Sequence, residues 1–332
     1  MTADAQLASS GVLSCLGPKP RTGRVHSSFA RTVNILCRDM TWICLHPPAV
    51  PMHPFGVRLG AEPERGSNFL SAVPDEPATV SRERIVLGDR VIVSLEGAVP
   101  WDCGLDPASN GDTPAEALDA IDTTLDEILI DSIFLRAVAG NGAADAAIAG
   151  SAGRIDAASR VNAAGGAPLE AGAGGLQAAL AARISVAVDI MESAWRLRCV
   201  EPVLKGVKQL VGLGIGLTPS GDDFLIGFIG AAYFFAHADD FRQAVFEGMR
   251  PLVHRTNLPS FFMLKAALKG SYPGPLSDFL HAIETGSAAR VRSAAKCLMA
   301  LGATSGQDMM AGVLSWLHVS STCGAADAAH YA

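Results

Sequence analysis

Two periodicities divide the chain. Between residues 23 and 100 apolar positions come in short runs cut by turn residues; from about 113 onward they recur every three or four positions. In "NILCRDMTWICLH" (34–46) two apolar runs flank Arg38-Asp39, and in "RIVLGDRVIVSL" (84–95) two flank Gly88-Asp89. Both predict short β-hairpins, the second turning on Gly-Asp. Between them "HPPAVPMHPFG" holds too many prolines to be a central strand. A β-rich domain over 23–100 follows.

The pattern over 101–138 is helical. Thr113 is the expected N-cap, with Pro114 at the first helical position and Glu116 reaching back. Leu118, Ile121, Leu125, Ile128 and Leu129 then recur at helix spacing. Residues 139–175 are nearly all Ala, Gly and small polar types, too little bulk for a core, and read as a loop or loosely helical insert. Order returns at 176, where "LQAALAARISVAVDIMESAWRLRCV" reads as one helix ending before Pro202. "VLKGVKQLVG" follows, with Gly212 as its stop. Further segments, each with a start or stop signal, fill a helical domain to residue 320. Residues 1–22 read as a disordered lead-in or a mis-set start, without the basic start and apolar run of a signal peptide. Residues 321–332 read as a tail. The expected fold is α+β, an N-terminal β-rich unit followed by a C-terminal helical domain.

Composition narrows the function classes. At 332 residues, 49% hydrophobic and 18% charged, the chain can bury a sizeable core. A net charge of −7 argues against nucleic acid or an anionic membrane as partner, while leaving room for a local site for a small anion. The most apolar run, "FLIGFIGAAYFFA" (224–236), falls short of the roughly 20 residues a membrane span needs and predicts a buried helix. The seven cysteines are scattered without a C-x-x-C pair, which fits reduced thiols in a cytoplasmic protein. His46 and His53 lie near Cys44, but two prolines fall between the histidines and no second ligand pair follows, so no metal site is expected.

The chemistry concentrates in "GLGIGLTPSGDDFLIG" (212–227). Its end is repeated: Ser220-Gly-Asp-Asp-Phe-Leu-Ile-Gly227 aligns with Ser305-Gly-Gln-Asp-Met-Met-Ala-Gly312. Both read S-G-x-D-x-x-x-G at the start of an apolar helix. One account is structural: Ser and Asp form a capping box, and the carboxylates oppose the helix dipole. That account leaves over Asp222, the glycines 212, 214 and 216, and the hydroxyl of Thr218. A glycine-rich approach to a helix N-terminus exposes N–H donors to an anionic group. The spacing is neither G-x-G-x-x-G nor a P-loop, so no nucleotide follows. Two ionised aspartates would repel a bare phosphate. They suit a carbamoyl or amide N–H, a divalent cation, or, with one kept protonated, a general acid. The two helix starts are expected to converge on one pocket. In "HRTNLPSF" (254–261) Arg255 is a candidate for forking a carboxylate or phosphate, with Thr256 and Asn257 as neutral donors. In "GRVHSSFARTVN" (23–34) His26 is a candidate base.

With those segments and "LGATSGQDMMAG" downstream, the chain resembles the domain-of-unknown-function family numbered 2877 over most of 23–318. One branch of that family is the third subunit of the oxamate carbamoyltransferase of allantoin degradation. That enzyme makes oxamate and carbamoyl phosphate from oxalurate and phosphate together with other subunits. The resemblance implies a transferase subunit that handles phosphate, carbamoyl phosphate, oxamate or oxalurate beside partner subunits. On it, Asp222, Asp223 and Asp308 are the expected catalytic carboxylates. Gly214, Gly216, Thr218, Ser220 and Gly221 would hold the anion, with Arg255, Thr256, Asn257, Thr304, Ser305, Gly306 and His26 as further substrate contacts. Alternatives are a non-catalytic assembly subunit and a magnesium-dependent enzyme using the three aspartates. Ile215 and Ala303 depart from the family's pattern, where proline and histidine are expected.

Overall fold

A computed structural model describes residues 1–60, 69–108, 115–145, 171–197, 199–214 and 218–322. The chain divides into two compact units, Met1–Gly104 with Ser271–Gly274, and Leu105–Gly270 with Pro275–Ala332.

The first unit is a β-barrel. Its strands are β1 (Thr2–Ser9), β2 (Arg21–Ser28), β3 (Val33–Cys37), β4 (Trp42–His46), β5 (Gly56–Leu59), β6 (Pro77–Val80), β7 (Arg84–Leu87), β8 (Val91–Ser94) and β9 (Val99–Trp101). They form one nine-stranded sheet in the order β5-β4-β3-β2-β6-β7-β8-β1-β9, and a further β5–β1 pairing closes it. Both expected hairpins are present, β3–β4 and β7–β8, each antiparallel. Inward-facing Val25, Ile35, Leu45, Val57, Ile85 and Val93 fill the interior.

The lead-in expected over 1–22 is instead part of the barrel. β1 pairs antiparallel with β5 on one side and parallel with β8 and then β9 on the other. Ala3, Ala5 and Ala8 are its buried apolar positions. Alanine gives too weak an amphipathic signal to read as a strand, yet small side chains suit the interior of a narrow barrel. Buried Ser9 then caps α1 (Ser10–Cys15), accepting the Gly11 N–H at 3.2 Å while donating to Pro54 O at 2.7 Å.

The second unit is helical. Where the periodicity runs on through 113–138, the chain breaks into α2 (Ala115–Glu127) and α3 (Ile133–Asp145). Thr113 and Pro114 lie outside the described residues. Ala117, Ala120, Ile121 and Leu125 are buried, whereas Leu129 is 60% exposed and lies in the break. Ser132 starts α3 by accepting the Leu135 N–H at 3.0 Å, a local bond that competes with continuing the first helix. Of the expected insert, 139–145 complete α3 and 171–175 begin α4 (Ala171–Leu197); 146–170 lie outside the described residues. As expected, α4 ends before Pro202, at Leu197, and Pro202 itself sits in the first turn of α5 (Val200–Leu210), where its missing N–H costs nothing.

Next come α6 (Ser220–Ala236), α7 (Asp239–Met249), a 3₁₀ turn (Arg250–Arg255), α8 (Leu258–Ala267), α9 (Gly274–Thr285), α10 (Ala288–Met299) and α11 (Ser305–Thr322). α6 is buried almost all round, as its uninterrupted apolar sequence requires. No described helix is long and apolar enough to cross a membrane. The most extensive helix–helix contact in the unit is between α6 and α11, the two helices that open with S-G-x-D.

Candidate functional site

The repeated starts are built alike. The Gly221 N–H bonds Leu213 O at 2.8 Å, and the Gly306 N–H bonds Leu301 O at 2.9 Å. A Cβ on Gly221 would lie 2.1 Å from Leu210 O, and one on Gly306 would lie 1.7 Å from Leu298 O. Each start is therefore glycine because the end of the preceding helix presses against it. The closing glycines do the same between the helices. A Cβ on Gly227 would meet Met309 O at 2.0 Å, and one on Gly312 would meet Phe224 O at 2.1 Å. Phe224 and Met309 occupy equivalent positions of the two copies. The crossing is thus isologous, like the interface of a two-fold dimer within one chain.

That crossing brings the two N-termini together and exchanges their side chains. Pro219, not Ser220, is the N-cap of α6, and no side-chain capping bond forms, so the expected capping box is absent there. Asp223 instead faces Ser305 and Thr218, whose hydroxyl oxygens lie 2.7 Å apart. Reciprocally, Asp308 faces Ser220 and Thr304, and accepts the Ser132 hydroxyl at 2.5 Å. Asp223 is 3% and Asp308 0% exposed, and Oδ2 of each has no hydrogen-bond partner. Burial pushes the Asp223 carboxyl up to about 8; the Ser305 and Thr218 hydroxyls oppose this, while the like charges of Asp308 and Asp222 add to it. Burial also raises Asp308, against its three hydroxyl neighbours.

The residue between Gly and Asp is a stitch in both copies. Asp222 accepts the Gly212 N–H at 2.9 Å and the Thr256 hydroxyl, tying the glycine-rich approach to the start of α8. Burial raises its carboxyl to about 6 despite those bonds and the nearby Ser260 hydroxyl. Gln307 accepts the N–H groups of Asp131 and Ser132 at 2.8 Å each and donates to Leu129 O at 3.2 Å. It holds the α2–α3 break against the start of α11.

A cavity of about 140 Å³ opens at this junction. Its polar lining is Asp131, Ser132, Gly214, Ser220 and Thr304; Ile133, Phe134 and Ile184 form the apolar wall. At about 30 Å³ per water it has room for a molecule of a few heavy atoms. Gly214, Ser220 and Thr304 were expected from the sequence; Ser132 and Asp131 were not. The signal was there, since Asp-Ser before "IFL" is a helix-start pattern, but it sits inside a run whose periodicity masks it.

The other expected residues fall elsewhere. The N–H groups of Gly221 and Gly306 are spent within the protein, as above. Arg255 donates to Lys208 O at 2.6 Å, Asn257 caps α8 by accepting the Ser260 N–H at 3.1 Å, and Thr256 is tied to Asp222. None of these three lines the cavity. Gly216 lies outside the described residues. Ala303 is the repeat's counterpart of Thr218 and is exposed.

His26 belongs to the barrel unit, at a β-bulge where the β2–β3 register shifts between Val25 and Ser27. Its ring packs edge-on against Trp42 at 5.0 Å, with Nδ1 3.3 Å from Ser27 Oγ. Burial and the Arg24 charge lower its pKa, against Asp75. In the same unit His46 is buried and His53 half-buried, with ring centroids 5.5 Å apart. Among the described residues no group of three or more His, Cys, Asp or Glu could hold a metal ion. The magnesium alternative, which needs Asp222, Asp223 and Asp308 as one ligand set, finds no such set assembled.

Two family models match the chain. One, described as oxamate carbamoyltransferase subunit AllH, matches residues 210–317, from the end of α5 through both S-G-x-D starts. The other, the AllH family N-terminal domain, matches residues 3–100, which takes in the barrel with most of β1. No solved structure matches the chain.

Proposed function

The chain belongs to the AllH family, that of a subunit of oxamate carbamoyltransferase, and from that premise we propose that it binds the enzyme's small substrate in the cavity between the α6 and α11 starts. The observation that carries this reading is the convergence of two repeated helix starts, both inside the family-matched region, on one small cavity. The reaction is the cytoplasmic exchange of oxalurate and phosphate for oxamate and carbamoyl phosphate, carried out with other subunits. A phosphate oxygen attacks the carbamoyl carbon, the bond from that carbon to the oxamate nitrogen breaks, and the nitrogen takes up a proton. The paired N-termini supply positive potential for the anionic end of a ligand on the Gly214 side of the cavity. Asp223, held protonated near neutral pH, is the proton reserve beside the Thr218–Ser305 pair. Asp222 and Gln307 position the loops.

The rival reading is a non-catalytic assembly subunit. It draws on the packing that already accounts for Gly221, Gly227, Gly306 and Gly312. Melting the purified chain with phosphate, carbamoyl phosphate, oxamate and oxalurate, alone and with its partner subunits, separates the two. A bound ligand at a hundred times its dissociation constant adds about 2.7 kcal/mol. Stabilisation lost in Thr304→Val supports the site. No shift with any ligand in either form leaves only assembly.

A further inference from the structure

We propose that the cavity takes an N–H donor, the –NH₂ end of a carbamoyl, amide or ureido ligand, on the hydroxyl oxygens of Ser132, Ser220 and Thr304, with Asp308 as the positioning residue behind them. This rests on the reading of the cavity as a substrate site and goes further, by saying which end of the ligand faces these hydroxyls.

A hydroxyl has one proton and two lone pairs. Ser132 gives its proton to Asp308 Oδ1 at 2.5 Å and spends one lone pair on the Leu135 N–H at 3.0 Å. One lone pair remains, on a residue that lines the cavity. Ser220 and Thr304 also line the cavity and lie beside the same carboxyl, so their hydroxyl oxygens are within reach of the same ligand group. The backbone N–H groups of Asp131 and Ser132, the natural cradle for an oxyanion, are both spent on Gln307.

Charge agrees with the proton account. No Lys or Arg is among the described lining residues, and the exposed Asp131 adds negative potential at the rim. The lining therefore disfavours an oxyanion, and Ser132, its proton already given to Asp308, can only accept, as an amide N–H requires. Ile133, Phe134 and Ile184 give the flat face of such a group an apolar wall. The ligand's anionic end then lies on the Gly214 side, toward the N-terminus of α6.

Isosteric pairs test this, because replacing –NH₂ by –CH₃ keeps shape and charge. Oxamate against pyruvate, and carbamoyl phosphate against acetyl phosphate, would be titrated into the full chain, alone and in the assembled enzyme. The expected result is tighter binding of the amide member by about tenfold or more. Ser132→Ala and Thr304→Val should each shrink that preference while leaving affinity for the methyl member nearly unchanged. Ser132 also starts α3, so Thr304→Val is the variant that keeps the fold. Equal affinity within both pairs overturns the donor proposal while the cavity still stands as a binding site. Binding of neither member in either form overturns the proposal and the site together.

Discussion

The two S-G-x-D starts differ most where their sequences differ most, in how each is approached and what its third residue holds. α6 is reached from α5 through the long glycine-rich segment, and Asp222 fastens that segment to Thr256. α11 is reached from α10 by the short turn 300–304, and Gln307 reaches away from its own approach to the α2–α3 break. The shared residues do the same work in both: glycines let backbones touch, and the aspartates face hydroxyls of the other copy. Of the two aspartates, Asp308 faces Ser132, Ser220 and Thr304, three residues that line the cavity, whereas Asp223 faces Thr218 and Ser305. A repeated motif thus supplies a symmetric frame, and its variable third position decides what each half is joined to.

Changes at the frame should cost most. Gly227→Ala and Gly312→Ala each drive a methyl into a backbone carbonyl of the partner helix. Each should lose about 3 kcal/mol or more, outweighing the ~1 kcal/mol that alanine gains in helix propensity. Urea unfolding measures it; a loss at only one of the two sites would break the symmetry argued here.

Gln307→Ala should come next, at about 2–3 kcal/mol, because it leaves two backbone N–H groups without their acceptor. Amide hydrogen exchange at Asp131 and Ser132 should rise with it. Unchanged exchange there would mean that Gln307 does not hold the break.

The titration of Asp223 separates the halves by pH. Its folded pKa, about 8, stands above the ordinary carboxylate value of 3.8. The stability its protonated form contributes is therefore fully present below about pH 4 and is lost as pH rises through about 8. Between pH 7 and 8 the slope should be on the order of 1 kcal/mol per pH unit. By then Asp222, near 6, has largely ionised. Asp223→Asn should flatten that slope; an unchanged slope assigns it to Asp308. Smallest is Ser305→Ala, which removes the contact with Thr218 and should cost about 1 kcal/mol with little change in cavity affinity.

Much of the frame was legible because it is local. The hairpins 34–46 and 84–95 carry their turns between their strands, and the α6 and α11 starts are written in contiguous residues. What escaped depends on contacts distant in sequence. Ala3, Ala5 and Ala8 look like filler until β5, β8 and β9 are placed beside them. Ser132 looks mid-helix until Gln307 and Asp308, far along the chain, hold it at the break. Gly221 and Gly306 invited a ligand in the sequence because glycine beside a helix start has two uses. A nearby backbone and a nearby anion ask for the same missing side chain, and here the first use is the one observed.

The placement of β1 also governs how the barrel can form in time. Its partners lie far downstream, with Ala5 opposite Leu59 and Thr2 opposite Ile92. During synthesis the first strand must wait for β5 to pair one edge, and for nearly the whole unit to leave the ribosome before β8 and β9 can pair the other. Ring closure is then a late step with a long loop to bring together, which makes folding slow and leaves strand edges open to neighbouring chains. Yield on expression should respond more to temperature and to strand-shielding chaperones than to any change in the helical unit.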